Sequence, residues 1–549
     1  MKNKEKAAVN EQVKNNIISL LRSYEHPEPE KWAELISQKE PQIRLGIIQK
    51  LVPDAFISKD AKLIHEQISN HYPELNCMLK GTASYYTCFP KSGIPAQAFA
   101  IARHVDPGFN AGIGIAKTYS GDIMLNPEFR KIFDRLQPEG SDDEKWRQVR
   151  NSVFKYNNGL GASWYREIAA QRYLRDAISE PMLLEAMRKA LRIKPIPTYG
   201  GTVGLSIAFE MGVGEETILV LPSTYWGNID LKTSHHKTIK EKCNYIDREG
   251  RIKPHKLEEK LLDIKGRGHR KVAIYFNFPH NPTGMEPTRI EAQAFSEIVR
   301  EVADPDFKVV IICDEPYYPF VRGKDSIKVP FSYYMQPGYN RNILTFVSIN
   351  GTKRDGMYGM RHSDLAVLVP EDVSREGVRI FEERILAGYM RGTFSFSHAL
   401  SQYLLARAIT GDPLISIRKN KHIRLSTEFF KQENKLIDYV ETSVNDTIDA
   451  LSNLNGLERI VGSKDNDAYG GFFVTYRLSE ELKDKGVKAI DIHKAGLKTN
   501  CGVIATNDFI RVSALVNKKN DPQFAKNLQL TIERAIKMKK QESFNEMMF

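Results

Sequence analysis

The sequence predicts an α/β protein whose chemistry gathers at strand ends. Three observations carry this. Short, continuously apolar runs at 217–221, 272–278, 309–313, 343–347 and 364–369 have the composition of buried strands. Helical patterns accompany them, over 203–211 before the first run and over 289–302 between the second and third. Most of the runs end in a turn or loop that holds polar or charged residues: PSTYWGN, NFPHNPTG, DEPYYPF and NGTKRDGMYGMRH. In an open α/β sheet, ligands bind at such ends.

Composition sets the frame. The chain has 549 residues, enough for two or three domains. Hydrophobic content of 41% and charged content of 27% are ordinary for a globular protein. No run approaches the roughly 20 apolar residues of a membrane span. The polar start, MKNKEKAAVNEQVKNN, has no signal-peptide character, so the expectation is a cytoplasmic protein without a membrane partner. The five scattered cysteines have no metal-ligand spacing and suggest neither a disulfide framework nor a metal site. The net charge is +11, but acids interleave with bases almost everywhere, as in KLEEKLLDIKGRGHRK. That pattern predicts a solvated surface biased toward small anions, with no nucleic-acid partner.

In chain order, residues 1–105 read as a helical extension on the main body. Apolar residues recur at helical spacing over 13–24, 30–38 and 43–51, Pro29 suits a helix start, and 92–104 is a further helical candidate. Gly112 and Gly114 interrupt an apolar run within 109–126, where glycine allows close backbone approach. The polar 137–146 reads as a loop, followed by Tyr156. Gly200, Gly201 and Thr202 precede a helix; backbone N–H groups and a hydroxyl at a helix start make an anion site. Trp226 follows the 217–221 strand and Asn281 lies in the NPTG turn. Asp314 ends the next strand, with Tyr317 three residues on. Thr352, Lys353 and Arg361 occupy the Gly-rich loop between the last two runs. Arg391 lies in YMRGTFSFS and Arg511 in the strand 509–513.

Lys353 is the residue the pattern turns on. A lysine near its ordinary pKa of about 10.4 is protonated and cannot attack a carbonyl. Burial or a neighbouring cation frees the amine. Arg361, eight residues on, offers both a positive field and a planar fork for phosphate oxygens.

Taken together, GGT, Trp226, NPTG, Asp314-x-x-Tyr317, Lys353 with Arg361, and Arg511 resemble, in order and approximate spacing over about 108–530, the pyridoxal-phosphate (PLP) aminotransferases of class I/II. The aspartate/aromatic branch is the nearest in pattern. The resemblance implies fold type I: a large, mainly parallel, seven-stranded-type sheet domain over 171–410 and a smaller α+β domain from 106–170 and 411–549. It implies PLP as cofactor, bonded to Lys353. Asp314 would pair with the pyridine nitrogen, Tyr317 and Asn281 with the ring's 3-oxygen, and Trp226 would stack on the ring. Gly201, Thr202, Thr352 and Arg361 would hold the phosphate, joined by Tyr156 of a partner copy, which makes the expected assembly a homodimer. Gly114, Asn281, Arg391 and Arg511 would meet the substrate, Arg511 at its α-carboxylate and Arg391, from the partner, at a distal one. Lys353, Asp314 and Tyr317 would be catalytic. Two departures stand out: Gly200 and Asn350 occupy places where the family commonly has a hydroxyl residue.

The expected reaction moves an amino group between a dicarboxylic or aromatic L-amino acid and a 2-oxo acid such as 2-oxoglutarate. The alternative is β-decarboxylation or C–S lysis on the same fold, because fold does not fix reaction. A PLP-binding regulator would need a DNA-binding module, and the N-terminal helices lack a concentrated basic face.

Overall fold

The computed structural model describes residues 2–23, 26–39, 47, 48, 51, 59–79, 131, 133–233, 238–247, 251–349, 351–418, 423–460, 468–499, 501–506, 509–514 and 521–548. Gly112, Gly114, Asn350 and the helical candidate at 92–104 lie outside these residues, as do six of the nine residues of 43–51.

The body is a seven-stranded sheet of β1 (Ile193–Thr198), β2 (Ile218–Pro222), β3 (Ile239–Cys243), β4 (Lys271–Asn277), β5 (Lys308–Glu315), β7 (Ile343–Ile349) and β8 (Ser363–Leu368). The order is β1-β8-β7-β5-β4-β2-β3. β7, β5, β4, β2 and β3 are parallel, and β8 runs antiparallel to both β7 and β1. The sequence reading passed over β1, IKPIPT, because two prolines weaken a strand pattern. Its edge position explains them, since an edge strand has N–H positions that need no ladder partner.

Both faces are covered, as continuously apolar strands require. On β5, Val309, Ile311 and Cys313 join one core with the helices Pro254–Gly266 and Arg289–Val302. Val310 and Ile312 join the opposite core, with the helix Gly201–Gly212. The strand period of two therefore places Asp314 on the Gly201–Gly212 side.

The smaller antiparallel sheet contains β9 (Leu457–Arg459), β11 (Phe473–Leu478), β12 (Ile504–Thr506) and β13 (Phe509–Ser513) in the order β12-β13-β11-β9. Its core includes side chains of the helices Thr427–Ala450, Ala489–Gly496 and Asp521–Met548. Tyr317 and Phe320, from the segment after β5, belong to that same core. A two-stranded pair of β6 (Val321–Arg322) and β10 (Tyr469–Gly470) ties the two sheets together.

Two readings need correction. Residues 137–146 are not wholly a loop: Asp142 accepts from the Lys145 N–H at 2.9 Å and caps the helix Asp143–Phe154. The acidic run is the start signal that the loop reading overlooked. The extension is also divided. Ile64, Ile68, Tyr72, Leu75 and Met78 pack into the sheet's core, and the Tyr72 hydroxyl meets the Ile343 carbonyl at 3.5 Å. The helices Lys2–Ser23 and Pro29–Ser37 instead bury Ile17, Leu21, Ala33 and Ile36 against one another in a separate cluster.

Candidate active site

The site forms where β4, β5 and β7 end side by side, with Asn277 opposite Asp314 and Asp314 opposite Ser348. Asp314 is the floor. Its Oδ2 accepts from the Tyr275 hydroxyl at 2.8 Å and from Asn277 Nδ2 at 3.3 Å, and Asn277 Nδ2 also reaches the Asp314 carbonyl at 2.9 Å. Burial pushes the Asp314 carboxyl up to about 6, against the Tyr275 hydrogen bond and the nearby Lys232 and Lys353 ammonium groups, which favour the carboxylate. Tyr275 and Asn277 were missed in the sequence. Their signal was present: polar groups two residues apart at the end of an apolar strand share one face.

After β7 the chain enters a short helix, Gly351–Arg354, that carries Lys353. Its Nζ lies 5.5 Å from the centre of the Tyr317 ring and 5.7 Å from that of Tyr358. Burial and the Arg361 guanidinium hold the Lys353 amine below its ordinary pKa, Asp314 opposes them, and Arg511 adds to the lowering. This is the condition a nucleophilic lysine needs. Tyr358 is a third residue that the sequence reading passed over.

The anion cradle lies at the start of Gly201–Gly212. Gly200 has φ +79, and a Cβ there would stand 2.9 Å from Arg361 Nη2. The missing serine is thus explained: the guanidinium occupies the space a side chain at 200 would need. Arg361 Nη2 also lies 3.5 Å from Thr202 Oγ1. Arg361 itself has φ +51, a conformation that non-glycine residues rarely adopt and that clusters at functional sites. Lys232, a fourth residue missed in the sequence, donates to the Thr202 carbonyl and to Ser206 Oγ, both at 2.6 Å. The Thr352 hydroxyl is directed to the His362 carbonyl at 2.8 Å.

Arg511 reaches the site from β13. Its Nη1 donates to Asn281 Oδ1 at 2.8 Å, and its guanidinium lies 4.0 Å from the centre of the Phe473 ring. The Asn281 N–H donates to Asn277 Oδ1 at 2.7 Å, so the NPTG turn is anchored to the strand that supports Asp314. The Tyr317 ring packs edge-on against Phe472 and Phe473. Trp226, half-buried, follows β2 and packs on the core beneath.

The structure therefore gathers Asp314, Tyr317, Lys353, Arg361, Gly201, Thr202, Asn281 and Arg511 at the strand ends. Tyr156 and Arg391 pair elsewhere. The Tyr156 ring stacks on Phe396 at 4.7 Å, and the Arg391 guanidinium lies 4.4 Å from the centre of the same ring. Tyr156 is 57% exposed, so this aromatic patch faces outward on its own chain.

An open, mainly parallel sheet with a lysine, a carboxylate and an anion cradle at its strand ends defines a fold-type-I transferase. The model of the family "aminotransferase class I and II" matches residues 170–528. The chain belongs to that family, and it is a PLP-dependent transaminase. Among solved structures, an aminotransferase from Anaerococcus prevotii is 20% identical, with 81% of this chain and 97% of that one covered and a TM-score of 0.55. Aspartate aminotransferase from Thermus thermophilus with maleate is 15% identical, with 82% and 98% covered and a TM-score of 0.51. A kynurenine aminotransferase from Pyrococcus horikoshii is 14% identical, with 75% and 95% covered and a TM-score of 0.50. These likenesses establish the fold. No curated protein matches the chain by sequence. Among the described residues, no helix is long and apolar enough to cross a membrane, and no group of three or more His, Cys, Asp or Glu is placed to hold a metal ion.

Proposed function

We propose that the chain transfers an amino group between a dicarboxylic or aromatic L-amino acid and a 2-oxo acid such as 2-oxoglutarate, with Lys353 bearing the cofactor. The observation that carries the proposal is the Lys353 amine, lowered by burial and by two guanidinium groups, standing beside the buried Asp314 carboxylate.

The donor set fits PLP. The N–H groups at the start of Gly201–Gly212, Thr202 and Arg361 suit a phosphate, and Asp314 suits a protonated ring nitrogen. Lys232, Lys353, Arg361 and Arg511 outnumber the site's one carboxylate, so a multiply anionic ligand offsets their mutual repulsion. Bound there, PLP supplies an electron sink for the pair left on the substrate α-carbon.

Each side chain then has a task. Arg511 presents a planar fork to the substrate α-carboxylate, steadied by Asn281. Lys353 would hold the cofactor and, once its amine is free, would take the substrate's α-proton at Nζ and give it up again close by. Tyr317 would offer its hydroxyl to the cofactor's 3-oxygen. Tyr275 and Asn277 keep the Asp314 carboxylate aimed. In a homodimer, Tyr156 and Arg391 of the outward aromatic patch serve the partner's site, the tyrosine at the phosphate and the arginine at a distal carboxylate.

The visible spectrum of the purified protein tests the reading. Aspartate, glutamate or tyrosine bleaches the yellow band of lysine-bound cofactor, and 2-oxoglutarate restores it. Release of CO2, pyruvate or sulfide without need of a keto acid would move the assignment to a decarboxylase or lyase. Lys353→Ala abolishes turnover; an unimpaired variant would end the mechanism.

A further inference from the structure

The two residues after Lys353 are both fastened into a buried ionic chain. Arg354 makes a bidentate pair with Asp176, at 2.6 and 2.8 Å, and a second pair with Glu433, at 2.7 and 3.0 Å. Asp355 receives Arg172 at 2.9 and 2.6 Å, and Arg172 also reaches Glu433 at 2.6 Å. All five side chains are only 5–8% exposed. Glu433 is the shared member, and it comes from the helix Thr427–Ala450, which packs into the smaller sheet's core.

Stability alone does not call for such a chain. Well-packed apolar side chains of similar volume often serve as well as buried ion pairs, or better. What ion pairs add is fixed direction, because a bidentate guanidinium–carboxylate pair sets both distance and plane. Direction matters here because packing is incomplete. An open cleft of about 380 Å³ borders the lysine loop, lined by Met357 and Met360 of the loop and by Leu404, Phe429 and Leu436 opposite. Arg354, Asp355 and Glu433 border the same cleft. On this side the loop is held by its charges together with Met357, which packs against the cluster around Leu405 and Phe430.

We propose that Glu433 and Asp176 are positioning residues for Lys353. Acting through Arg354, and in the case of Glu433 also through Arg172 and Asp355, they fix the backbone that carries the lysine and tie its placement to the helix Thr427–Ala450. The proposal rests on Lys353 being the cofactor lysine.

The test compares the wild-type holoenzyme with Glu433→Gln and Asp176→Asn, each of which keeps shape and removes one charged acceptor of Arg354. Steady-state kinetics, the cofactor's visible spectrum and the melting temperature are measured for each, well below its melting point. Displacement of a reacting group by about 1 Å can cost on the order of a hundredfold in rate. The expected result is a kcat lower by tenfold to a hundredfold with KM within about twofold of wild type, together with slower formation of the lysine-bound absorbance band when apoenzyme receives PLP. A role in stability alone would lower the melting temperature and leave kcat and the rate of band formation unchanged in the folded fraction, which would overturn the proposal. Should Glu433→Gln fail to fold, Asp176→Asn decides by the same readouts. Borohydride reduction followed by peptide mass spectrometry of the wild type separates this failure from that of the parent reading, because a label on a lysine other than Lys353 removes the premise.

Discussion

At the scale of single residues, the site works by arranging charge. Arg511 is the clearest example. It is half-buried, its pKa is lowered by burial, and one of its donors is already committed to Asn281. Among the described residues the rest of the fork has no hydrogen-bond partner, and it suits a carboxylate. A hydrogen bond to a charged group contributes about 1.5–3 kcal/mol, so Arg511→Gln raises KM for amino and oxo acids alike by roughly ten- to a hundredfold. Arg511→Lys does not restore it, because an ammonium is not a planar fork. Steady-state kinetics with an amino acid and its oxo acid check both statements. Gly200 gives a second prediction. At φ +79, with Arg361 Nη2 2.9 Å from where a Cβ would stand, Gly200→Ser strains the backbone and displaces the guanidinium. Titration of the apoprotein should show weaker binding of PLP and little change for pyridoxal, which has no phosphate. Much at this scale was legible in the sequence. Asp314, Asn281, Lys353, Arg361 and Arg511 stand together at strand ends because turn residues and apolar runs reveal where strands stop. Lys232 and Tyr358 were not legible as site residues. Each looks ordinary in its own segment and gains meaning only from a neighbour brought near by the fold.

At the scale of elements, the helix Thr427–Ala450 is joined to the lysine loop by Glu433. Burial alone would push this carboxyl up, but Arg354 and Arg172 outweigh it and hold it at about 2, below the ordinary 4.5. A carboxyl depressed on folding adds stability that is complete above its unfolded pKa and is lost as the pH falls toward its folded one. The window is therefore about 4.5 down to 2, and the contribution is on the order of 3 kcal/mol. Denaturant unfolding of the wild type and of Glu433→Gln should show a gap that narrows as the pH falls from about 5 to 3. A gap independent of pH would contradict the ionic account. Sequence reading found the strands of the main sheet's centre and the flanking helices Gly201–Gly212 and Arg289–Val302, but not Pro254–Gly266; both faces of those strands are buried, so the apolar runs are long. It missed β1, where edge position tolerates proline, and the start of Asp143–Phe154, where an acidic cap resembled a polar loop.

At the scale of the whole molecule, a large sheet and a small one meet where Arg511 of the smaller donates to Asn281 in the turn after β4 of the larger. Tyr156 and Arg391 sit apart from Lys353's cluster, on the outward patch around Phe396. A homodimer in which that patch completes the partner's site makes a specific prediction. Lys353→Ala and Arg391→Ala proteins are each impaired, but when coexpressed they regain activity, because the hybrid holds one site with both residues intact. Activity no greater than that of the separate proteins would place Arg391 outside the partner's site. The hairpin of Lys2–Ser23 and Pro29–Ser37 has its own small core and takes no part in this account.

Labelling decides whether Lys353 bears the cofactor. The protein is loaded with PLP, reduced with borohydride, digested, and its peptides are weighed by mass spectrometry. The pyridoxyl mass is expected on Lys353 alone. The same mass on Lys232 or another lysine, or on none, would contradict that expectation.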